Sequence, residues 1–143
     1  MPKSPSALVP VFIAAPAVVI RQLSAALHDG IDVIGAATWD DAIQKLPDSF
    51  PGLVIVCYVF DEIRPYRFIQ HVRAGEYGQA PILLVRAVTL PLGATQESEM
   101  RRSYTDLGVN AFLNFSDLAN ERGLDAALQE FRRVVDSLLA PQS

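Results

Sequence analysis

The sequence is poor in the residues on which several common kinds of site depend. It has one cysteine, Cys57, and two histidines in 143 residues, which excludes an internal disulfide and a multi-cysteine zinc site. Charged residues make up only 20% of the chain, and 12 basic against 16 acidic side chains leave a net charge of -4. We therefore expect no metal site and no binding of nucleic acid through a basic surface.

Long apolar runs are also missing. The most apolar stretch near the start, Leu8 to Ile20, is interrupted by Pro10 and Pro16, and it is shorter than the roughly 20 apolar residues of a membrane-spanning helix. The same stretch lacks the form of a secretory signal peptide. These absences predict a cytoplasmic protein that does not bind a membrane.

Apolar residues nevertheless make up 50% of the sequence, which is enough to bury one sizeable core. We predict a single domain over residues 1–143, with loose ends at 1–6 and 141–143. Short β-branched runs alternate along the chain with amphipathic stretches, a pattern typical of alternating strands and helices. The five predicted strands are Leu8 to Ala14, Ile31 to Ala36, Leu53 to Val59, Pro81 to Val85 and Asn110 to Asn114.

Five helices are predicted between and after these strands. Thr38 and Asp41 form a capping box for the second helix. The alternation predicts an α/β fold with a doubly wound, five-stranded parallel sheet, in which binding and chemistry lie at the carboxyl ends of the strands. The first four predicted helices are Ala17 to Leu27, Trp39 to Leu46, Tyr66 to Ala74 and Gln96 to Leu107, and the fifth carries an apolar stripe of Leu124, Leu128, Phe131, Val135 and Leu138.

Four segments carry a more specific pattern: Gly30 to Ile43, Pro51 to Val56, Ala80 to Val85 and Gly108 to Leu113. In this order and spacing, they resemble the receiver (CheY-like) domains of bacterial response regulators. The resemblance implies a flavodoxin-like (βα)5 fold. It also implies four functional positions: an acidic pair for Mg²⁺ after the first strand, a phosphoacceptor Asp ending the third, a Thr or Ser ending the fourth and a Lys ending the fifth. Phosphoryl transfer needs these charges and this nucleophile.

This chain departs from the family at every one of those positions. The acidic-pair positions fall within Ile13, Ala14 and Ala15, and the acceptor, hydroxyl and lysine positions are Cys57, Arg86 and Phe115. The spacing is retained, because 29 residues separate Cys57 from Arg86 and 7 separate Gly108 from Phe115. We therefore predict a degenerate pseudo-receiver that binds neither Mg²⁺ nor another cofactor and is not an enzyme.

The predicted function is phosphorylation-independent protein interaction or homodimerisation in bacterial signalling. The alternative is a small-anion or redox sensor that uses Cys57 and Arg86 in the former phosphorylation pocket. For Cys57, a buried apolar role is favoured over a reactive thiol. For Arg86, an ion pair with Asp61 or Glu62 is favoured over a bound anion, because a partly buried arginine needs a carboxylate.

The connection between Arg86 and Gly108 spans 22 residues, several more than receivers usually have. Its added part is apolar, and receivers signal through this neighbourhood, so we predict that a partner or a second copy binds through the fourth helix, fifth strand and fifth helix. Phe112 is at the family's switch-aromatic position, although simple packing is favoured for it. The residues of the predicted interaction surface are Leu90, Leu92, Met100, Arg101 and Tyr104.

Overall fold

The five strands form one parallel sheet, as the alternation of strands and helices predicted. The structure, a computed structural model, describes residues 9–27, 29–58, 65–75, 79–86 and 94–139. Every pairing between neighbouring strands is parallel, and the order across the sheet is 2-1-3-4-5. The predicted fold class is thus confirmed. The strands are β1 (Val9–Ala14), β2 (Ile31–Ala36), β3 (Leu53–Cys57), β4 (Ile82–Val85) and β5 (Ala111–Leu113).

Six helices are found among the described residues, whereas the sequence pattern predicted five. The chain after β5 forms two consecutive helices, the first of which was not predicted. The predicted fifth helix corresponds to the second of them, which extends to Leu139. The helices are α1 (Ala17–Ala26), α2 (Trp39–Ser49), α3 (Pro65–Ala74), α4 (Ala94–Asp106), α5 (Phe115–Arg122) and α6 (Leu124–Leu139).

The sheet separates two apolar cores, because successive side chains of a strand point to opposite faces. On one face, Ile13, Ile55 and Val85 pack with residues of α1, α5 and α6, including Phe131. On the other face, the neighbouring strand residues, such as Val56, pack with residues of α2, α3 and α4. All five residues of β3 are buried, as expected of a central strand covered on both faces.

Local signals at the helix ends agree in part with the sequence. The Thr38 hydroxyl accepts a hydrogen bond from the Asp41 backbone N–H at 3.1 Å, so the predicted cap of α2 is confirmed. Gly108, with φ of +101°, ends the turn after α4, which is the left-handed conformation that glycine tolerates best. The predicted stripe of α6 needs one correction, since Leu124 is 46% exposed.

No helix in the described part of the chain is long and apolar enough to cross a membrane. The predicted loose ends at 1–6 and 141–143 lie outside the described residues.

Candidate functional site

The carboxyl ends of β1 and β3 are apolar and closed to solvent. Ala14 and Ala15 are fully buried, and Cys57 is 1% exposed. Backbone hydrogen bonds fix these ends in the sheet: the N–H of Ala15 donates to Ala36 O at 3.2 Å, and the N–H of Tyr58 donates to Val85 O at 2.8 Å. The resemblance implies Mg²⁺ here, but two methyl groups and a thiol do not offer the oxygen ligands that Mg²⁺ requires. The residues present therefore do not fit that metal.

Cys57 belongs to the core on the face covered by α1, α5 and α6. It packs in the same apolar cluster as Val85, Leu113 and Phe115. A thiol in such surroundings behaves as a small apolar side chain, and an accessible thiolate is what oxidation would need. The burial of Cys57 agrees with a role as an apolar packing residue.

Arg86 directly follows β4 and is held there by its backbone. Its N–H donates to Leu113 O at 2.9 Å, and its carbonyl accepts from the Ser116 N–H at 2.9 Å. The residue is only 7% exposed. Its Nε forms no hydrogen bond with the part of the chain that the structure describes, although the residue takes part in further interactions.

Phe115 is not at a strand end, which corrects the prediction made for it. β5 ends at Leu113, and Phe115 is the first residue of α5. The residue between them, Asn114, caps this helix: its Oδ1 accepts from the Asp117 N–H at 3.4 Å, and its Nδ2 donates to Asp117 Oδ2 at 2.7 Å. Phe115 is 3% exposed and packs in the core with Phe131. Phe115 is therefore a core aromatic at the start of a helix.

Phe112 in β5 carries a cation on its ring. The guanidinium carbon of Arg101, on α4, lies 5.3 Å from the centre of the Phe112 ring, which is within the range of a cation–π interaction. Arg101 is exposed, whereas Phe112 is half-buried and packs against the core on the α4 side. The contact joins α4 to the edge strand of the sheet.

A small cavity of about 20 Å³ lies beside this contact. It is partly open to solvent, and its lining combines apolar side chains with two guanidinium groups. Cys57, Ala14 and Ala15 do not line it, so it lies apart from the carboxyl ends of β1 and β3, toward β5 and α4. The lining residues are Tyr58, Leu84, Arg86, Met100, Arg101, Phe112, Leu113 and Asn114.

Tyr104, predicted to be part of an exposed interaction surface, is a core residue. It is 6% exposed, and its ring lies edge-on to Tyr58 and Tyr66 with centroid separations of 6.4 and 5.9 Å. Met100, one helical turn earlier, is half-buried against the same core. Among the described side chains of α4, these two apolar residues thus face the sheet, as expected of the apolar side of a helix that is otherwise polar.

Four predicted site residues lie outside the described residues. The ion pair between Arg86 and Asp61 or Glu62 stays a prediction for that reason. The same holds for Leu90 and Leu92 in the long connection.

The sequence interpretation missed Arg73, which joins three segments at the amino-terminal ends of β4 and β5. Its guanidinium donates to Ala80 O at 2.6 Å, to Gly108 O at 2.5 Å and to Asn110 Oδ1 at 3.0 Å. Asn110 Oδ1 also accepts from the Ile82 N–H at 2.8 Å. Burial lowers the pKa of the Arg73 guanidinium from its ordinary value. Arg73 thereby fixes the starts of β4 and β5.

Metal ligands are not gathered at any point of the described chain: no group of three or more His, Cys, Asp or Glu side chains there could hold an ion. His71 instead lies against Trp39, with ring centroids 6.0 Å apart.

Comparison with known proteins identifies the fold. No protein-family model matches the chain, and no curated protein matches it. Solved structures do. The phosphorylated cyanobacterial phytochrome response regulator RcpA is 15% identical with a TM-score of 0.73, over 96% of this chain and 98% of that one. The chemotaxis response regulator CheY4 of Vibrio cholerae is 20% identical with a TM-score of 0.65, over 89% and 98%.

A response regulator from Thermotoga maritima is also similar, with 15% identity and a TM-score of 0.68 over 94% of this chain and 99% of that one. These similarities show that the chain has the fold of response-regulator receiver domains over nearly its whole length. At such low identity they show the fold alone.

Proposed function

We propose that this chain is a pseudo-receiver: a module of bacterial signalling that recognises a protein partner, or a second copy of itself, without phosphorylation. The observation that carries the proposal is the chemistry at the carboxyl ends of β1 and β3. Ala14 and Ala15 are fully buried and Cys57 is 1% exposed, where a receiver needs carboxylates for its metal and its phosphoryl group. Without those carboxylates, the surface of the fold is what remains for recognition of a partner.

The surface that we propose for recognition comprises the exposed parts of α4, β5 and α6. Tyr104 is excluded from it by burial, and Met100 contributes only its half-exposed side. What α4 presents to solvent is charge, including Arg101 and Arg102. Charges of both signs on a helix often form only a solvated surface without a partner. A self-association test distinguishes such a surface from an interface.

Sedimentation velocity over a range of protein concentrations provides this test. If the charged face of α4 mediates self-association, Arg102→Glu reverses a charge at the interface and should shift the dimer to monomer. Arg21→Glu is the matched control, because Arg21 is also exposed but lies on α1, which packs on the other face of the sheet. Added salt should weaken the dimer as well. A monomer at every concentration, or equal effects of both variants, would contradict self-association through α4.

Partner recognition has a separate readout. In a pull-down, the double variant Arg101→Glu, Arg102→Glu used as bait should fail to retain a protein that the unaltered chain and the Arg21→Glu variant both retain. Retention of the same protein by all three baits would place recognition on another face of the domain.

A redox role for Cys57 receives no support from its surroundings. The thiol is buried among apolar side chains, and oxidation requires solvent access and a stabilised thiolate.

A further inference from the structure

The turn between α1 and β2 contains the only aspartate of the sequence that is followed by glycine. Asp29 and Gly30 are both exposed, and they lie outside the helix and the strand that they connect. The Gly30 carbonyl accepts a hydrogen bond from the Val9 N–H at 3.0 Å. Ile31, the next residue, begins β2 and pairs with Val9. The turn is therefore open to solvent and at the same time linked to the pairing of β1 with β2.

We infer that Asp29 is a modification site, at which aspartate converts spontaneously to isoaspartate. The backbone nitrogen of Gly30 attacks Cγ of the Asp29 carboxyl group and closes a five-membered succinimide ring. The N–Cγ bond forms, one Cγ–O bond breaks, and the carboxyl hydroxyl leaves with the amide proton as water. Water then opens the ring at either carbonyl carbon. Opening at the former main-chain carbonyl gives isoaspartate, and no atom is oxidised or reduced.

Glycine hinders this attack less than any other residue. Gly30 has no Cβ beside the attacking nitrogen, and its backbone adopts conformations that other residues avoid. The attack also requires a change of local backbone conformation that brings the nitrogen to Cγ. An exposed turn changes conformation at a lower cost than a packed helix or strand does. Both conditions are met at Asp29 and Gly30. The inference is independent of the proposed recognition function.

Two other aspartates are followed by serine, which is also a small residue, and the structure separates them from Asp29. Asp48 and Ser49 lie within α2, whereas Asp136 and Ser137 lie within α6. In an α-helix, the N–H that would attack donates instead to the carbonyl four residues earlier. Of the three aspartates with such a neighbour, only Asp29 therefore has the attacking nitrogen outside a helix.

Isoaspartate at position 29 would weaken the pairing of β2. The main chain would then pass through the side chain of residue 29 and gain one methylene carbon directly before Gly30. β2 is an edge strand that pairs with β1 alone in the described sheet. We expect the hydrogen bond from the Val9 N–H to the Gly30 carbonyl to be lost. The bond from the Gly52 N–H to the Pro10 carbonyl, which is 2.8 Å long, should be retained, because it lies on the other side of β1.

The first test is incubation of the full chain at neutral pH in water labelled with ¹⁸O, followed by peptide mapping. Ring opening by water adds ¹⁸O to the residue, and fragmentation by electron transfer distinguishes isoaspartate from aspartate. We expect isoaspartate to form at Asp29 about tenfold faster than at Asp48 and Asp136, where a helical hydrogen bond has to break first. Equal rates at the three sites, or no ¹⁸O at Asp29, would overturn the inference.

The same incubation in urea separates the effect of the fold from that of the sequence. Unfolding removes the helices that hold Asp48 and Asp136. The ratio of the rate at Asp29 to the rates at these two residues should therefore fall about tenfold. An unchanged ratio would show that the glycine alone determines the rate, and it would contradict the role of the turn.

Two variants identify the reacting groups. Asp29→Glu keeps the charge, but its longer side chain does not close the five-membered ring, so the modification at this position should disappear. Gly30→Ala restricts the backbone and should slow the reaction about two- to fivefold. Modification at the unaltered rate in either variant would contradict the attack of Gly30 on Asp29.

Hydrogen exchange measures the structural consequence. The isoaspartate form is separated from the unmodified chain by ion-exchange chromatography, and the amide exchange of the two forms is compared by NMR. The Val9 amide should lose its protection in the modified chain, whereas the Gly52 amide should keep it. Unchanged protection of Val9 would show that the turn accommodates the added carbon, and it would overturn the predicted weakening of the sheet edge.

Discussion

Tyr104 provides the sharpest stability test of how α4 is attached to the sheet. The residue is 6% exposed, and its ring packs edge-on against Tyr58 and Tyr66. Among the described side chains of α4, it is the only one that is buried. Tyr104→Ala should therefore loosen the whole helix as well as leave a cavity.

The expected loss is large for a single substitution. Truncating a buried aromatic residue to alanine costs about 3–5 kcal/mol, of which contacts between rings supply about 0.5–1.5 kcal/mol each. We expect a free energy of unfolding lower by about 3–4 kcal/mol, which is a melting temperature lower by about 10–15 °C for a domain of this size. Tyr104→Phe keeps the ring and should cost at most about 1.5 kcal/mol.

Urea unfolding followed by circular dichroism measures these differences, with an unchanged slope showing that both states remain comparable. Ser103→Ala is the matched control, because Ser103 is the neighbouring residue of α4 and is exposed, so its change should stay within about 0.5 kcal/mol. A loss below about 1 kcal/mol for Tyr104→Ala would refute the packing described here. Such a small loss would indicate that Tyr104 is exposed on the surface.

Three further outcomes are expected. Arg73→Met keeps the apolar stem but removes the hydrogen bonds to Ala80, Gly108 and Asn110. It should lower the free energy of unfolding, measured in urea, by about 2–4 kcal/mol. No change would show that water replaces these hydrogen bonds. Phe50 is 71% exposed with φ of 43°, so Phe50→Asn should raise the stability by about 0.5–1 kcal/mol in the same assay, whereas a loss would show that its ring is packed. The hydrogen bond from Arg133 lowers the pKa of Glu130, so this pair stabilises the fold above the ordinary pKa of Glu, and the stabilisation is lost as the pH falls through the lowered pKa. In an NMR titration, Arg133→Gln should raise the pKa of Glu130. An unchanged pKa would contradict the pair.

Strand positions were predictable because the pattern that encodes them is local. β2 has the predicted bounds, Ile31 to Ala36, and the fully apolar run from Leu53 forms the buried centre of the sheet. Strand ends were less accurate: β3 ends at Cys57, two residues before the apolar run does. A continuous apolar run does not show where a strand leaves the sheet.

α5 was missed although its signals were present. Asn114 followed by Asp117 is an N-terminal cap, and Gly123, with φ of +94°, ends the helix. The spacing of the family's lysine predicts a strand end at Phe115 instead. Leu124 differs for another reason: it is the first residue of α6 and is 46% exposed, so the apolar period extends past the buried part of the helix.

The hydrogen bonds of the Arg73 guanidinium could not be predicted from the sequence. Arg73 and Gly108 are 35 residues apart, and nothing in the local pattern relates an arginine at the end of one helix to a carbonyl after the next. The cation–π contact between Arg101 and Phe112 is of the same kind. Such contacts depend on how helices lie across the sheet, which the hydrophobic period does not specify.

The loss of phosphorylation chemistry is the central claim, and one measurement tests it most directly. The full chain is incubated with acetyl phosphate and Mg²⁺, and separately with beryllofluoride and Mg²⁺, and then examined by intact mass spectrometry and NMR. Because Ala14, Ala15 and Cys57 offer neither a metal site nor a carboxylate nucleophile, we expect an unchanged mass and unchanged amide shifts. An acyl-phosphate adduct on any carboxylate, Asp61 and Glu62 included, would contradict the account.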